Sequence, residues 1–250
     1  MARPAFRALS FDLFDTLVDL RMEDLPEFRV GERSMRGTHA DLHRVASGWI
    51  GLELAEFVAS LLASDKELWE STYKVDRELP TLDRFAHFAT RIGVSDAALP
   101  AALCDTHMSG IAALSRELPN HRDVIGRLGA RVPLAVCSNF SHTPTALAVL
   151  EGAGLGAAFG AVVISDQSGF RKPRAEIFRE TLAKLGATAA EVLHVGDRLD
   201  ADVRGAADVG MATAWITRRV KHVDTALERY DGPAPTYTIS DLEELLTIVG

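Results

Sequence analysis

Short apolar runs alternate with stretches of helical periodicity over most of the chain. The apolar runs have the length of buried strands, and they cover residues 8–11, 132–137, 161–164, 192–195 and 212–216, with a short sixth at 236–239. Helices are predicted between them, over about 120–128, 144–151, 175–185 and 241–248. Strands that alternate with helices in this way form a parallel sheet with right-handed crossovers. The pattern therefore predicts an α/β fold.

A long block between residues 18 and 118 lacks the strand pattern. Its apolar residues recur at helical spacing, as Phe57 and Leu61 do. Pro80 and Pro100 separate successive helical stretches. Because the block is too long for a single crossover connection, we expect a helical insertion that forms a second small domain.

Polar side chains stand where the predicted strands end. The set comprises Asp12 after the first strand, Ser138 and Asn139 after the second, Lys172 in the loop after the third and Asp197 after the fourth. Any one of them could be purely structural, since Asp12 or Ser138 could cap a helix and Lys172 could be a solvated side chain. The carboxyl ends of parallel strands share one edge of a sheet, where open α/β proteins bind ligands. We therefore expect these residues to form one site.

The residue types in this set suit phosphoryl transfer. The Asp12 carboxylate is a nucleophile of the kind that forms an aspartyl-phosphate. Together Asp12 and Asp197 offer carboxylate oxygens to a hard cation such as Mg²⁺, which would neutralise them and polarise a phosphoryl oxygen. Ser138 can donate a hydrogen bond to the transferring group, Lys172 adds a positive charge, and Asp202 could hold metal-bound water. The expected ligands are thus Mg²⁺ and a small phosphorylated molecule.

Composition narrows the classes of function. The chain has 250 residues, 47% hydrophobic and 25% charged, with a formal net charge of -8. Because it contains no block of Lys or Arg, this acidic balance disfavours binding to nucleic acid or to an acidic membrane surface. The chain opens with no secretory signal pattern, its apolar runs are too short to span a bilayer, and its two cysteines do not indicate a disulfide scaffold. We expect a cytoplasmic enzyme.

Four segments together resemble the haloacid dehalogenase-like hydrolase superfamily. Its first motif is similar to residues 11–17 (FDLFDTL), its second to 136–140 (VCSNF), its third to 169–178 (GFRKPRAEIF) and its fourth to 194–197 (HVGD). The resemblance implies a hydrolase core with a Rossmann-like, doubly wound parallel sheet, formed by residues 1–17 and 119–250. It also implies that residues 18–118 form an inserted all-helical cap of the first type.

The same resemblance implies roles for the residues that match the motifs. For catalysis it implies Asp12 as nucleophile with Ser138 and Lys172, and for substrate binding Ser138, Asn139 and Lys172. The implied ligands of Mg²⁺ are the carboxylates of Asp12 and Asp197 and the backbone carbonyl of Phe14. Asp202 and Thr16 are implied to support the metal from behind these ligands.

One position departs from the family pattern. Phosphatases of the family carry a second Asp two residues after the nucleophile as general acid and base, and here that residue is Phe14, which cannot transfer a proton. Asp15 comes one residue later, where the family usually has Gly. Neighbouring side chains on an extended segment point to opposite faces, so Asp15 is a poor substitute unless the backbone turns. Loss of acid–base catalysis typically costs about 10²–10⁴ in rate.

Three functions stay open. A phosphatase with a weakened proton transfer is the first. A 2-haloacid dehalogenase that uses Asp12 as nucleophile is the second, because a halide leaves without a proton and the family's dehalogenases place an aromatic residue at the position of Phe14. A catalytically weak member that binds a phosphometabolite or a protein partner is the third. Because a metal-free pocket would bury the like charges of Asp12 and Asp197 at considerable cost, we favour the Mg²⁺-dependent phosphatase.

Overall fold

The computed structural model describes residues 6–249. In this range the β-strands are β1 (Ala8–Phe11), β2 (Asp19–Leu20), β3 (Glu27–Val30), β4 (Arg33–Arg36), β5 (Ser115–Arg116), β6 (Leu134–Ser138), β7 (Ala161–Ile164), β8 (Val192–Gly196), β9 (Ala212–Ile216) and β10 (Tyr237–Ile239). The α-helices are α1 (His39–Ala46), α2 (Leu54–Trp69), α3 (Thr81–Arg91), α4 (Ala98–Ala112), α5 (His121–Gly129), α6 (Thr143–Gly152), α7 (Ser165–Ser168), α8 (Ala175–Leu185), α9 (Gly205–Asp208), α10 (Val223–Arg229) and α11 (Leu245–Ile248). None of these helices combines the length and the apolar character that crossing a membrane requires.

Six parallel strands of the described chain form the central sheet, in the order β10-β9-β8-β1-β6-β7. β1 lies between β8 and β6, so Phe11 is in register with Val195 on one side and with Val136 on the other. Every residue of β1 is buried, as expected for a parallel strand covered on both faces. The predicted α/β fold with a Rossmann-like parallel sheet is confirmed.

Apolar side chains join the sheet to the helices that cover it. One buried cluster brings Cys137 of β6 and Val192 of β8 against Ile177 and Phe178 of α8. Removing a large apolar side chain from water contributes roughly 1.5–3 kcal/mol. α8 ends at Gly186, whose φ of 62° is a left-handed conformation that glycine adopts without strain. This packing fixes the loop that precedes α8 relative to the ends of the strands.

The described chain divides into two compact units. Residues 6–19 and 116–249 form the unit that contains the six-stranded sheet, here named the core, and residues 20–115 form the other, here named the insert. The residues at the boundary, β2 and β5, form a separate two-stranded sheet. The assignment of residues 1–17 and 119–250 as a hydrolase core and of 18–118 as its cap stays a prediction.

Helices α1 to α4 make up most of the insert. α2 begins with a capping box, in which the side chains of Glu53 and Glu56 each accept a hydrogen bond from the other residue's backbone N–H. Phe57 of α2 packs edge-on against Phe88 of α3, with ring centroids 5.3 Å apart, and Leu103 of α4 is fully buried. Phe57, Phe88 and Leu103 therefore face the interior of the insert, whereas Leu62, also at helical spacing, is exposed.

A β-hairpin adds to this helical unit. β3 and β4 pair antiparallel, from Glu27 opposite Arg36 to Val30 opposite Arg33. Gly31 supplies the turn with a φ of 61°. The sequence pattern predicts helices alone in this block, because the alternation of exposed Glu27 with buried Phe28 is a period-two pattern only a few residues long.

Candidate active site

Side chains from separate loops meet at the carboxyl edge of the sheet. Asp12 follows β1, Ser138 ends β6 and Asp197 follows β8, while Lys172 lies between α7 and α8. The N–H of Asp12 donates a hydrogen bond of 2.8 Å to the carbonyl of Val195, which fixes the backbone of Asp12 against the end of β8. Adjacent parallel strands thus bring together residues that lie up to 185 positions apart in the chain.

The Lys172 ammonium links two carboxylates. Its Nζ donates to Asp12 Oδ1 at 2.6 Å and to Asp202 Oδ1 at 2.5 Å, and all three residues are buried. Burial alone lowers the pKa of Lys172, but the adjacent Asp12 and Asp202 carboxylates outweigh burial and raise that pKa. The ammonium is therefore charged and held in one direction.

A chain of hydrogen bonds continues from Asp202 into the sheet. His194 Nε2 lies 3.1 Å from Asp202 Oδ1, and His194 Nδ1 lies 3.0 Å from Ser10 Oγ. The N–H of Arg198 donates to Asp202 Oδ2 at 3.0 Å. Burial would raise the pKa of Asp202, but Lys172 and His194 together lower it. Asp202 is consequently ionised, and both of its oxygens are held by the protein.

Two glycines let these residues approach the sheet. A Cβ built on Gly196 would lie 2.2 Å from Asp202 Cγ. Two non-bonded carbon atoms cannot come that close. A Cβ on Gly205 would lie 2.7 Å from Pro173 Cα, next to Lys172. Gly196 and Gly205 flank a π-helical turn at Leu199–Arg204 that carries Asp202. Gly196 of the fourth motif and Gly205 thus leave the space into which Asp202 and the segment at Lys172 pack.

Three carboxylates lie close enough to share a cation. One oxygen of each of Asp12, Asp197 and Asp202 lies within 4.8 Å of the others, and the Lys172 ammonium offsets part of their charge. Burial, together with the charges of Asp12 and Asp202, raises the pKa of Asp197 to about 8. Oxygen donors with an excess of negative charge are the ligands that a hard divalent cation prefers, so these residues fit Mg²⁺. Asp202, expected behind the direct ligands, lies within the cluster.

The second motif supplies one residue that hydrogen-bonds Asp12 and one that hydrogen-bonds Lys172. Ser138 is buried, and its hydroxyl hydrogen-bonds Asp12. Burial raises the pKa of Asp12, and the Lys172 charge and this hydrogen bond lower it only in part. Asn139 Oδ1 accepts from the N–H of Lys172 at 2.7 Å, and Asn139 Nδ2 donates to the carbonyl of Lys172 at 2.9 Å. The Asn139 amide therefore positions Lys172, and its predicted contact with substrate stays a prediction.

The segment after Asp12 lacks a side chain that could transfer a proton at the position of Phe14. The half-buried ring of Phe14 packs against Phe140, with centroids 4.7 Å apart. Asp15 does sit in a turn, with φ 59°, but its carboxylate forms an ion pair with Arg219. The Thr16 hydroxyl is buried without a partner among the described residues. Support of the metal by Thr16, and its ligation by the Phe14 carbonyl, stay predictions.

Sequence reasoning missed three residues of this region. His194 occupies a buried position of β8, and Arg218 and Arg219 follow β9 at the same edge of the sheet. A histidine inside an apolar run was the available signal for His194. Cations directly after a strand, at the edge that carries the other candidate residues, were the signal for the two arginines.

Known proteins share sequence similarity with this chain. The family model described as haloacid dehalogenase-like hydrolase matches residues 6–210. Pyrimidine 5'-nucleotidase YjjG of Escherichia coli is 29% identical over 163 residues, which are 65% of this chain and 68% of that protein. A glyceraldehyde 3-phosphate phosphatase of Methanopyrus kandleri is 44% identical over 91 residues, which are 36% of this chain and only 38% of the phosphatase.

Solved structures share the fold over nearly the full length. The magnesium-bound HAD-hydrolase YfnB of Bacillus subtilis has a TM-score of 0.60 at 24% identity, covering 98% of this chain and 99% of its own. A 2-haloacid dehalogenase of Pseudomonas syringae has a TM-score of 0.70 at 19% identity, covering 98% of each chain. At these identities the likeness shows the fold alone, and it is shared by proteins that perform different reactions.

Proposed function

The chain belongs to the haloacid dehalogenase-like hydrolase family, and on that premise we propose that it is a Mg²⁺-dependent phosphoric monoester hydrolase acting on a small phosphorylated metabolite. One observation carries the proposal. Asp12, Asp197 and Asp202 place carboxylate oxygens within 4.8 Å of one another around a single lysine. A halide-releasing site has no need of three clustered carboxyl groups, whereas a cation that polarises a phosphoryl group is held by such oxygen ligands.

The roles of the side chains follow from their contacts. Asp12 attacks phosphorus, the bond from phosphorus to the leaving oxygen breaks, and water later releases phosphate from the aspartyl-phosphate. Lys172, held by the Asn139 amide, orients the Asp12 carboxylate and adds positive charge beside the transferring group. Ser138 donates a hydrogen bond at the same place. When bound by Asp12, Asp197 and the Phe14 carbonyl, Mg²⁺ supplies Lewis acidity to a phosphoryl oxygen.

Proton transfer to the leaving group is the weak step of this site. Phe14 has no proton to give, and Asp15 is paired with Arg219. We expect esters with good leaving groups to be hydrolysed much faster than alkyl esters, since the absent acid–base step is worth about 10²–10⁴ in rate.

The decisive experiment measures phosphate release from an aryl phosphate with Mg²⁺ and with chelator. We expect activity that requires the metal and that falls by at least about 10³-fold in Asp12→Asn, as when a nucleophile is removed. Asp123→Asn, a matched change at an exposed aspartate of α5, should leave the rate unchanged. Activity in chelator, or full activity in Asp12→Asn, would overturn the proposal.

The variant Phe14→Asp tests the proton-transfer argument separately. It places a carboxyl group where the family's phosphatases carry their acid and base, so turnover of alkyl phosphates should rise while turnover of aryl phosphates changes little. An unchanged ratio of alkyl to aryl rates would mean that another group already transfers the proton.

A 2-haloacid dehalogenase is the second candidate, and Phe14 is the observation that favours it, because a halide leaves without a proton. In that reaction Asp12 attacks carbon and the carbon–halogen bond breaks. Halide release from 2-haloacids in the presence of chelator would support it, and strict dependence on Mg²⁺ would exclude it. Tight binding of a phosphorylated ligand without turnover would instead indicate a binding module.

The relatives suggest where a substrate screen should begin. Pyrimidine 5'-nucleotides and glyceraldehyde 3-phosphate are the phosphoric esters named by the two curated matches, and we propose them as first candidates. We further propose that the insert serves as the cap that selects among such esters. Chimeras that exchange residues 20–115 for the equivalent segment of a relative would test this assignment through their substrate preference.

A further inference from the structure

Asp15 holds an unusual backbone conformation directly after the nucleophile. Its φ is 59°, in the left-handed region that a residue with a Cβ rarely adopts and that glycine adopts freely. An aspartate here needs compensating contacts, and such outliers often mark positions where the surrounding structure enforces a conformation that matters for the site.

Arginines from the loop after β9 supply those contacts. Arg219 Nη1 forms an ion pair with Asp15 Oδ1. Arg218 Nη2 donates to the carbonyl of Asp15 at 3.3 Å, and the same guanidinium forms a two-bond ion pair with Asp19. All four side chains are at least two-thirds buried, so solvent screens these pairs less than it screens surface pairs.

Asp15, which the two arginines contact, belongs to the turn that follows the nucleophile Asp12. The N–H of Asp15 donates to the carbonyl of Val18 at 2.7 Å, and the N–H groups of Leu17 and Val18 donate to the carbonyl of Leu13 at 2.9 and 3.1 Å. These hydrogen bonds join residues 13–18 into one turn directly after Asp12. Contacts that hold Asp15 in the left-handed conformation hold the direction in which the chain leaves Asp12.

We propose that Arg219 is a positioning residue that acts through Asp15: the ion pair stabilises the turn after Asp12 and so preorganises the carboxylate cluster for Mg²⁺. The proposal rests on the proposed function, since it takes from it the Mg²⁺ site formed by Asp12, Asp197 and the Phe14 carbonyl. In this proposal Arg219 acts through Asp15 and is not itself a ligand of the cation. Its effect depends on Asp15 having a side chain that must be restrained.

This dependence gives a sharp double-variant test. Glycine adopts a φ of 59° without help, so Asp15→Gly should keep the turn and make Arg219 dispensable. We expect Arg219→Ala to weaken Mg²⁺ binding about tenfold, a difference of about 1.4 kcal/mol, and Arg219→Lys to recover most of the loss because it keeps the charge. Asp15→Gly should bind Mg²⁺ within about threefold of the parent, and adding Arg219→Ala to it should change nothing further.

Mg²⁺ binding is measured by titration calorimetry on the full chain without substrate, so the result does not depend on turnover. Arg7→Ala is the control, because Arg7 forms an ion pair with Glu191 ahead of β1, at the other end of the strand. An unchanged affinity in Arg219→Ala, or an equal loss in the parent and in Asp15→Gly, would overturn the proposal.

Failure of the proposed function gives a different pattern. Normal Mg²⁺ binding with the expected dependence on Arg219 but no phosphate release would reject the hydrolase and keep the positioning role. A parent chain that binds no Mg²⁺ would reject both. If Arg219→Ala fails to fold, folding of the double variant with Asp15→Gly supports the inference, and failure of both variants to fold overturns it.

Discussion

The core and the insert each bury a polar network, and the two networks differ in charge balance. In the core, the ammonium of Lys172 bonds Asp12 and Asp202, and Asp197 adds a third carboxyl group to the cluster. In the insert, Asp65 is matched by one guanidinium, that of Arg84, through two hydrogen bonds of 2.6 and 2.7 Å. The first network has three carboxyl groups for one cation, and the second has one of each.

The histidines of the insert reinforce this balance by staying neutral. His107 Nδ1 lies 2.7 Å from Thr38 Oγ1. Burial first, and then the nearby Arg84 charge, lowers the pKa of His107 to about 4. The pKa of His39 is lowered for the same reasons. At neutral pH the network therefore carries only the matched charges of Asp65 and Arg84.

The difference indicates which network needs a ligand. Burying an uncompensated charge costs several kcal/mol, so a cluster with surplus carboxyl groups either takes up a proton, as the raised pKa of Asp197 indicates, or binds a cation. A network with equal numbers of positive and negative groups needs no ion from solution to neutralise it. Its presence can be explained by its contribution to the stability of the fold. The comparison therefore supports the proposed Mg²⁺ site in the core and indicates a structural role for the polar residues of the insert.

Lys172→Met gives the largest expected effect. It removes the one cation that the described residues place between Asp12 and Asp202, and breaking a buried ion pair typically costs about 3–5 kcal/mol. We expect urea unfolding to show this loss in chelator and to recover much of it at saturating Mg²⁺, because ligand binding stabilises the folded state. With Trp49 and Trp69 changed to Phe, Trp215 reports on the core. An equal loss with and without Mg²⁺ would contradict the comparison.

Acidification gives the next effect, through His107. Its folded pKa of about 4 lies below the ordinary 6.5, so the unfolded chain binds a proton more readily. Stability is fully present above pH 6.5 and is lost as the pH falls toward 4, by roughly 3 kcal/mol at about 1.4 kcal/mol per pKa unit. Carboxylates elsewhere also titrate here, so the measured quantity is the difference between the parent and His107→Asn.

A Trp215→Phe background suits the acid measurement, because Trp49 and Trp69 then report on the insert. His107→Asn keeps a polar atom near Thr38 and cannot take up a proton, so its stability should fall less steeply between pH 6.5 and 4. Parallel curves for the parent and the variant would mean that His107 does not carry the pH dependence. The groups facing it, His39, Asp65 and Arg84, would then need separate tests.

Arg84→Met gives the smallest of these effects. It leaves Asp65 unpaired, but the Asp65 side chain is 31% exposed and water can solvate it, so we expect a loss of about 1–2 kcal/mol, near the value of a charged hydrogen bond. Mg²⁺ should not restore this loss. Recovery with Mg²⁺ as large as that of Lys172→Met would remove the distinction between the two networks.

Patterns local in sequence made most of the core predictable. The apolar runs located β1, β6, β7, β8 and β9, and the rule that parallel strands end at one edge predicted that Asp12, Ser138, Lys172 and Asp197 would come together. These inferences needed only burial and topology. They succeeded because the residues stand directly at the strand ends or in the loop that follows.

Contacts between distant segments were outside the reach of sequence reasoning. The Asn139 amide bonds the backbone of Lys172 across 33 residues, and Arg219 meets Asp15 across 204. Nothing in the local pattern specifies either partner. His194 was predictable in part. Its place in an apolar run was visible in the sequence, but its hydrogen bond to Asp202 depends on the turn between the two residues.

The order of strands in the sheet has a consequence during synthesis. β1 lies in the middle of the sheet, yet its first neighbour begins only at Leu134 and its second at Val192. At roughly 5–20 residues per second on the ribosome, the apolar nascent segment waits on the order of ten seconds for a partner strand. An unpaired apolar strand invites wrong association. The interval before β6 is made is therefore the stage of synthesis in which this segment is open to wrong association.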